Sequence, residues 1–214
     1  MDRYTEPDFS TAALITIDTQ RDTLDGQPLE IPGTSSILSN MSRLLAAFRA
    51  LQRPIVHVVR LYKPDSSNVD LCRRAATETG ELAALAPDTP GSQLAPGLLP
   101  DDRISLDWSA LLSGSIQAVA GHEVIIYKPR WGAFYRTCLE GHLRGLGVTT
   151  AIFAGCNFPN CPRTSIMEAS ERDFRVVLVR DAISGFSERD ETEMARIGVL
   201  VLSTEELLAR LSRM

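Results

Sequence analysis

Six stretches of this chain are apolar almost without interruption: TAALITID at 11–18, PIVHVV at 54–59, EVIIYK at 123–128, TTAIFAG at 149–155, RVVLVRD at 175–181 and VLVLS at 199–203. Continuous apolar runs of this length predict strands buried on both faces, the habit of a parallel sheet. Between them the period changes to that of a helix. Ile37, Met41, Leu44, Leu45, Phe48 and Leu51 recur at helical spacing and predict a helix over Ser35–Leu51. Further helices are expected at Thr137–Leu146, Pro162–Asp173 and Ser187–Arg196, the last opened by SERD, and a final one in STEELLARL with Ser203 and Glu206 as a capping box. Strands alternating with helices through short connections imply right-handed crossovers. The expected fold is α/β: a three-layer α/β/α sandwich, Rossmann-like, around a mostly parallel sheet of about six strands.

Residues 60–121 break the rhythm. PDTPGS, LAPGLLPDD and LLSGS are dense in turn formers. This part reads as a long surface excursion with one or two short helices, Leu71–Leu85 among them, of the kind that covers sites. With no repeat or low-complexity segment, 1–214 reads as a single domain.

Composition narrows the function. The 214 residues are 44% hydrophobic and 23% charged, with a net charge of −5 and a pI near 5.3. No basic run or stripe exists, which argues against nucleic acid or an anionic membrane as partner. The start, MDRYTEPDFS, lacks the apolar core of a signal peptide, and no apolar run reaches the roughly 18 residues of a membrane span. A cytoplasmic protein acting on a small molecule is the expectation. The four cysteines, Cys72, Cys138, Cys156 and Cys161, make neither a zinc knuckle nor a disulfide framework. Three of them read as small packing residues. His57, His122 and His142 form neither H-x-x-x-H nor D-x-H, which disfavours a catalytic metal. No cofactor is expected.

Three charged or nucleophilic residues stand where ligands bind in such folds, at the carboxyl ends of strands. Asp18 ends the first run, Lys128 ends the third, and Cys161 comes after the fourth, at the start of a helix. Unpaired N–H groups and the helix dipole at that position lower a thiol's pKa and favour the nucleophilic thiolate. Asp18 is then a candidate base, or only a turn cap or a partner of Arg21. Lys128 is a candidate electrostatic partner, or a lysine snorkelling from a strand end. In KPRWGAF, Arg130, Trp131 and Phe134 either wall a pocket or pack on the next helix. Gly155, Asn157 and Asn160 shape a turn whose backbone N–H groups could hold an oxyanion. Arg73 and Arg74 read as a carboxylate anchor or as solvated surface.

The blocks ALITIDTQRD, EVIIYKPRWGAFYRTCLEGHLRGLGVTTAIFAG and Cys161 through RVVLVRDAISGF together resemble the isochorismatase-like cysteine hydrolases. The resemblance implies a triad with Asp18 as base, Lys128 as charge stabiliser and Cys161 as nucleophile. It also implies a cis peptide at Cys156–Asn157, an oxyanion hole from the Asn157 and Cys161 N–H groups, and assembly into dimers or tetramers. Two features depart from the family pattern: the turn CNFPN, and Pro162 after the cysteine. The implied activity is metal-independent hydrolysis of a C–N bond in a small amide, carbamoyl or ureido compound through a thioester. The alternatives are vinyl ether hydrolysis of the isochorismatase type and a non-catalytic oligomeric binding module.

Overall fold

The structure is a computed structural model and describes residues 2–213. One sheet of seven strands runs through it: β1 (Ala12–Ile17), β2 (Ile55–Val59), β3 (Gln117–Ala120), β4 (Glu123–Tyr127), β5 (Thr150–Gly155), β6 (Arg175–Ile183) and β7 (Leu200–Leu202). Their order is β3-β4-β2-β1-β5-β6-β7, and every neighbouring pair is parallel except β3–β4. The six expected strands are all present. The seventh, β3, lies inside the stretch read as an excursion. It is a short edge strand, only part-buried, and its apolar run, Ala118–Ala120, is too short to declare a strand. A two-residue loop, Gly121–His122, turns it back onto β4, and Gly121 takes the positive φ of 54° that such a hairpin demands.

The helices are α1 (Thr34–Ala50), α2 (Leu71–Glu78), α3 (Trp108–Leu112), α4 (Leu139–Gly145), α5 (Cys161–Ser170), α6 (Glu188–Arg196) and α7 (Thr204–Leu211). Two layers of helix cover the two faces of the sheet, and the alternation of side chains along the strands sorts them. Ala13, Ile15 and Ile17 of β1 pack with residues of α4, α5 and α6. Ala12 and Leu14 pack on the opposite side with Ile37, Met41, Leu44, Leu45 and Phe48 of α1 and Leu207 and Leu211 of α7. Helical spacing puts Leu51 in the α1 stripe, but it lies one residue beyond the helix and is exposed. Capping boxes at Ser187/Asp190 and Ser203/Glu206 open α6 and α7 as expected. Helix α2 ends at Glu78, short of Leu85, because Gly80 and Leu85 both take positive φ. The excursion is anchored rather than loose: Leu61, Leu94, Leu106 and Leu111 pack against Val59 and Ile125.

From β1 the chain builds outward through β2 and β4 on one side, and through β5, β6 and β7 on the other. Strand order therefore reverses at β1–β5, and the crevice at the carboxyl ends of these strands is the expected binding place. Register aligns the strand ends. Ile17 pairs with Val58 and Gly155, and Val59 pairs with Tyr127. The next residues along the chain, Asp18, Arg60, Lys128 and Cys156, consequently share one edge of the sheet.

Candidate active site

Asp18 leaves β1 with φ at +49°, in the left-handed region that an L-residue occupies at a cost and that recurs at functional sites. Its N–H donates to Val58 O at 2.9 Å, so the turn is pinned to β2. Lys128 is fully buried, and its Nζ lies 2.7 Å from Asp18 Oδ2 and donates to Arg130 O at 3.1 Å. A buried ammonium is tolerated only when paired, which removes the snorkelling alternative. Arg21 is not the partner of Asp18. The other oxygen, Asp18 Oδ1, is buried without a hydrogen bond.

Gly155 closes β5 so near β1 that a Cβ there would sit 2.2 Å from Ile17 O; only glycine fits. The chain then passes through a cis peptide at Cys156–Asn157 to Cys161, the first residue of α5, with Pro162 second. Phe158 N–H donates to Ser184 O and Asn160 N–H to Asn157 O, at 2.8 and 3.1 Å. The N–H groups of Asn157 and Cys161 make no hydrogen bond among the described residues. The Asn160 side-chain amide donates to Asn157 Oδ1 at 3.3 Å, so these side chains brace the turn.

Asp18, Cys161, Asn157, Cys156 and Trp131 line one cleft with Thr23, Leu29, Ile31, Arg60, Tyr62, Arg73 and Leu85. Its volume of about 20 Å³ is roughly that of one water. Burial and the Asp18 carboxylate push the Cys161 thiol up to about 12, against the pull of Lys128 and Arg60. The expectation of a thiol lowered by its helix position is therefore corrected: buried beside an anion, the resting group is a protonated thiol. Cys156 is also raised to about 12, chiefly by burial, and its thiol donates to Asp18 O at 3.1 Å.

The loop after Lys128 is held against α5, with Ala133 N–H donating to Ser165 Oγ and Phe134 N–H to Glu168 Oε2. This brings Trp131 to the cleft and turns Phe134 away. Phe134 is buried in the core with its ring centroid 5.8 Å from that of Phe174, so its expected place in the pocket wall is corrected. Arg130 is corrected likewise. Its guanidinium donates to Asn68 O and Pro129 O, and it borders a neighbouring open hollow. Of the two excursion arginines, Arg73 reaches the cleft and donates to Tyr62 Oη at 2.9 Å, whereas Arg74 bonds Val69 O. Cys72 is exposed rather than packed.

Sequence reasoning missed Arg60. It is 3% exposed, directly succeeds β2 and pairs through Nη2 with Asp70 Oδ2 at 2.8 Å. The signal was available, since Arg60 ends an apolar run just as Asp18 and Lys128 do. Among the described residues no group of three or more His, Cys, Asp or Glu side chains could hold a metal ion. His57 is committed elsewhere, to Thr16 Oγ1 and Glu123 Oε1.

Comparison with known proteins identifies the family of the whole domain. The isochorismatase domain model matches residues 12–206. The chain belongs to the isochorismatase family. A probable inactive nicotinamidase of Arabidopsis thaliana is 27% identical over 89% of this chain and 91% of its own length. Maleamate amidohydrolase of Pseudomonas putida is 28% identical over 80% of this chain and 71% of its own. Among solved structures, an isochorismatase family protein from Desulfovibrio vulgaris superposes with a TM-score of 0.78 at 28% identity, covering 95% of this chain and 99% of that one. No described helix is long and apolar enough to cross a membrane.

Proposed function

We propose that this chain cleaves the C–N bond of a small amide, carbamoyl or ureido compound through a thioester on Cys161. The chain is a hydrolase of the isochorismatase family, and amide hydrolysis is the activity named for its Pseudomonas putida relative. The observation that carries the finer reading is the buried 2.7 Å pair of Lys128 and Asp18 in the cleft that Cys161 enters from the start of α5.

Asp18 takes the Sγ proton as the sulfur attacks the carbonyl carbon. The carbonyl oxygen becomes an oxyanion facing the free N–H groups of Asn157 and Cys161. Asp18 passes its proton to the departing nitrogen, the C–N bond breaks, and the acyl group stays on sulfur. A water that gives its proton to Asp18 then attacks the thioester. The acid leaves, and the proton returns from Asp18 to Cys161. Lys128 Nζ, 2.7 Å from Asp18 Oδ2, holds the carboxylate in place between steps. A thiol near 12 suits this scheme, because the proton moves only when an electrophile is present to share the sulfur's electrons.

Intact-mass spectrometry during incubation with a panel of amides, ureides and carbamates tests the reading. The expected result is a transient mass increase located to Cys161. Turnover that continues in Cys161→Ala would overturn the thioester and favour ether-type hydrolysis, which needs Asp18 but no thiol. If nothing on the panel is turned over and Cys161 is not acylated, the non-catalytic binding module becomes the better reading.

A further inference from the structure

The cleft holds a second thiol that the thioester chemistry leaves idle. Cys156 directly follows β5, is fully buried and lines the cleft together with Cys161. Sequence reasoning took it for a small packing residue, yet it belongs to none of the apolar clusters among the described residues. Its neighbours are polar instead. Its Sγ donates to Asp18 O at 3.1 Å and lies 3.6 Å from Thr23 Oγ1. A buried nucleophilic side chain on the wall of a reaction cleft, outside the core, calls for a chemical reading.

Asp18 links the two sulfurs. Its carboxylate acts on Cys161, and its carbonyl oxygen accepts from Cys156. The thiols also sense each other, since the nearness of Cys161 pushes Cys156 further up. The chain between them does not carry them apart. Asn160 N–H donates to Asn157 O at 3.1 Å, which folds 157–160 into a turn. The cleft itself, at about 20 Å³, has room for roughly one water. Hydrogen peroxide, one oxygen larger than water, is an oxidant of the size it admits. A tripeptide thiol such as glutathione is far too large to reach Cys161 there, so the thiol within reach is Cys156.

We infer that Cys156 is a resolving thiol for Cys161: once hydrogen peroxide has oxidised Cys161, Cys156 captures it as a Cys156–Cys161 disulfide. Cys161 Sγ attacks one peroxide oxygen and the O–O bond breaks. Asp18 takes the thiol proton and passes it to the departing hydroxide, which leaves as water, and Cys161 becomes a sulfenic acid. Cys156 Sγ then attacks that sulfur and the S–O bond breaks. The hydroxide departs with the Cys156 proton as a second water. Two thiols and one peroxide thus become one disulfide and two waters, and a dithiol restores both thiols. Without Cys156 the sulfenic acid meets a second peroxide and becomes a sulfinic acid, which thiols do not reduce. The disulfide is therefore a reversible off state that spares the nucleophile. It forms whether or not the substrate is an amide, so the inference does not lean on the proposed function.

Peptide mapping reads the bond directly, because trypsin leaves Cys156 and Cys161 in one peptide, 145–163, and Cys72 and Cys138 in others. The unaltered protein is treated with millimolar hydrogen peroxide, unfolded in N-ethylmaleimide and digested. The expected peptide 145–163 is lighter by two hydrogens and carries no maleimide. Dithiothreitol before unfolding should return it to a form that takes up two. In Cys156→Ala the same treatment should leave Cys161 heavier by two oxygens and beyond rescue by dithiothreitol, with the irreversibly oxidised share several-fold above that of the parent. Equal shares of sulfinic acid in parent and variant overturn the inference. A disulfide that joins Cys161 to Cys72 or Cys138 instead does so too. So does a peptide that still takes up two maleimides after hours in peroxide, since a thiol that peroxide never reaches needs no resolving partner. The parent's own peptide involves no substitution, so this readout holds even if Cys156→Ala folds poorly.

Discussion

The same sheet buries an ionic cluster at each of its two ends, and the two differ in completeness. At the amino end, Glu123 at the start of β4 accepts from Arg49 Nε and Nη2 at 2.8 and 2.7 Å and bonds His57 Nε2 at 2.9 Å. Arg49 also donates to Leu98 O, and His57 Nδ1 bonds Thr16 Oγ1. At the carboxyl end, Asp18 Oδ1, two nitrogens of Arg60 and the Trp131 indole nitrogen are left over. Buried polar groups in proteins are nearly all paired; of the seven exceptions among the described residues four lie here, and the others are Arg74 Nε, His142 Nε2 and Arg175 Nε. The Glu123 cluster spends its hydrogen bonds on holding α1, β1, β2 and β4 together. The carboxyl end keeps some unspent, at a cost to stability, where a ligand would complete them.

The sharpest break of this contrast is Cys161→Ala. Turnover should fall by on the order of 10⁴-fold or more, while urea unfolding stays within about 1 kcal/mol of the parent. A Cys161→Ala protein that unfolds far more readily would make Cys161 a structural residue and undo the distinction. Next comes Glu123→Ala, which strips one partner from a buried pair and should cost about 3–5 kcal/mol in denaturant unfolding. Its kcat/KM at low temperature, where the variant remains folded, should stay near that of the parent. A large catalytic loss there would mean that the two ends are coupled.

Acid sharpens the comparison further. Burial works against the Glu123 carboxylate, but its bonds to Arg49 and His57 outweigh it and bring it down to about 2 from an ordinary 4.5. The folded pKa lies below the unfolded one, so the stabilisation is complete above pH 4.5 and drains away as pH falls toward 2. The loss approaches about 3 kcal/mol. Unfolding free energy measured from about pH 6 to about pH 2.5 should show this slope, and Glu123→Gln should flatten it. The smallest effect is expected far from both clusters. Ser203→Ala removes the acceptor for Glu206 N–H at the start of α7 and should cost about 1 kcal/mol, without change in activity.

Much of the site was legible because its residues end regular elements. Asp18 and Lys128 each close an apolar run, and Cys161 opens a helix after one, so strand order alone delivers them to one edge. Arg60 obeys the same rule and went unread, because the stretch after β2 looks irregular from its first residue. The loop KPRWGAF was legible only in part. Trp131 reaches the cleft and Phe134 turns into the core, and the bonds to Ser165 and Glu168 that settle this come from another helix.

By itself, the sequence determined what depends on neighbours along the chain: the period of the apolar positions, the caps of α6 and α7, the parallel alternation of strand and helix, and the glycine that ends β5. These are local because a strand or helix declares its buried face every second or every third to fourth residue. Tertiary structure decided the rest. The edge strand β3 exists because β4 offers it hydrogen bonds, not because its own residues are apolar. The thiol of Cys161 is held protonated by burial and by Asp18, a residue distant in sequence, against the local pull of its helix. The unspent donors of Arg60 and Trp131 became visible only once the chain had closed around them, since desolvation is a property of the packed molecule and not of any segment in it.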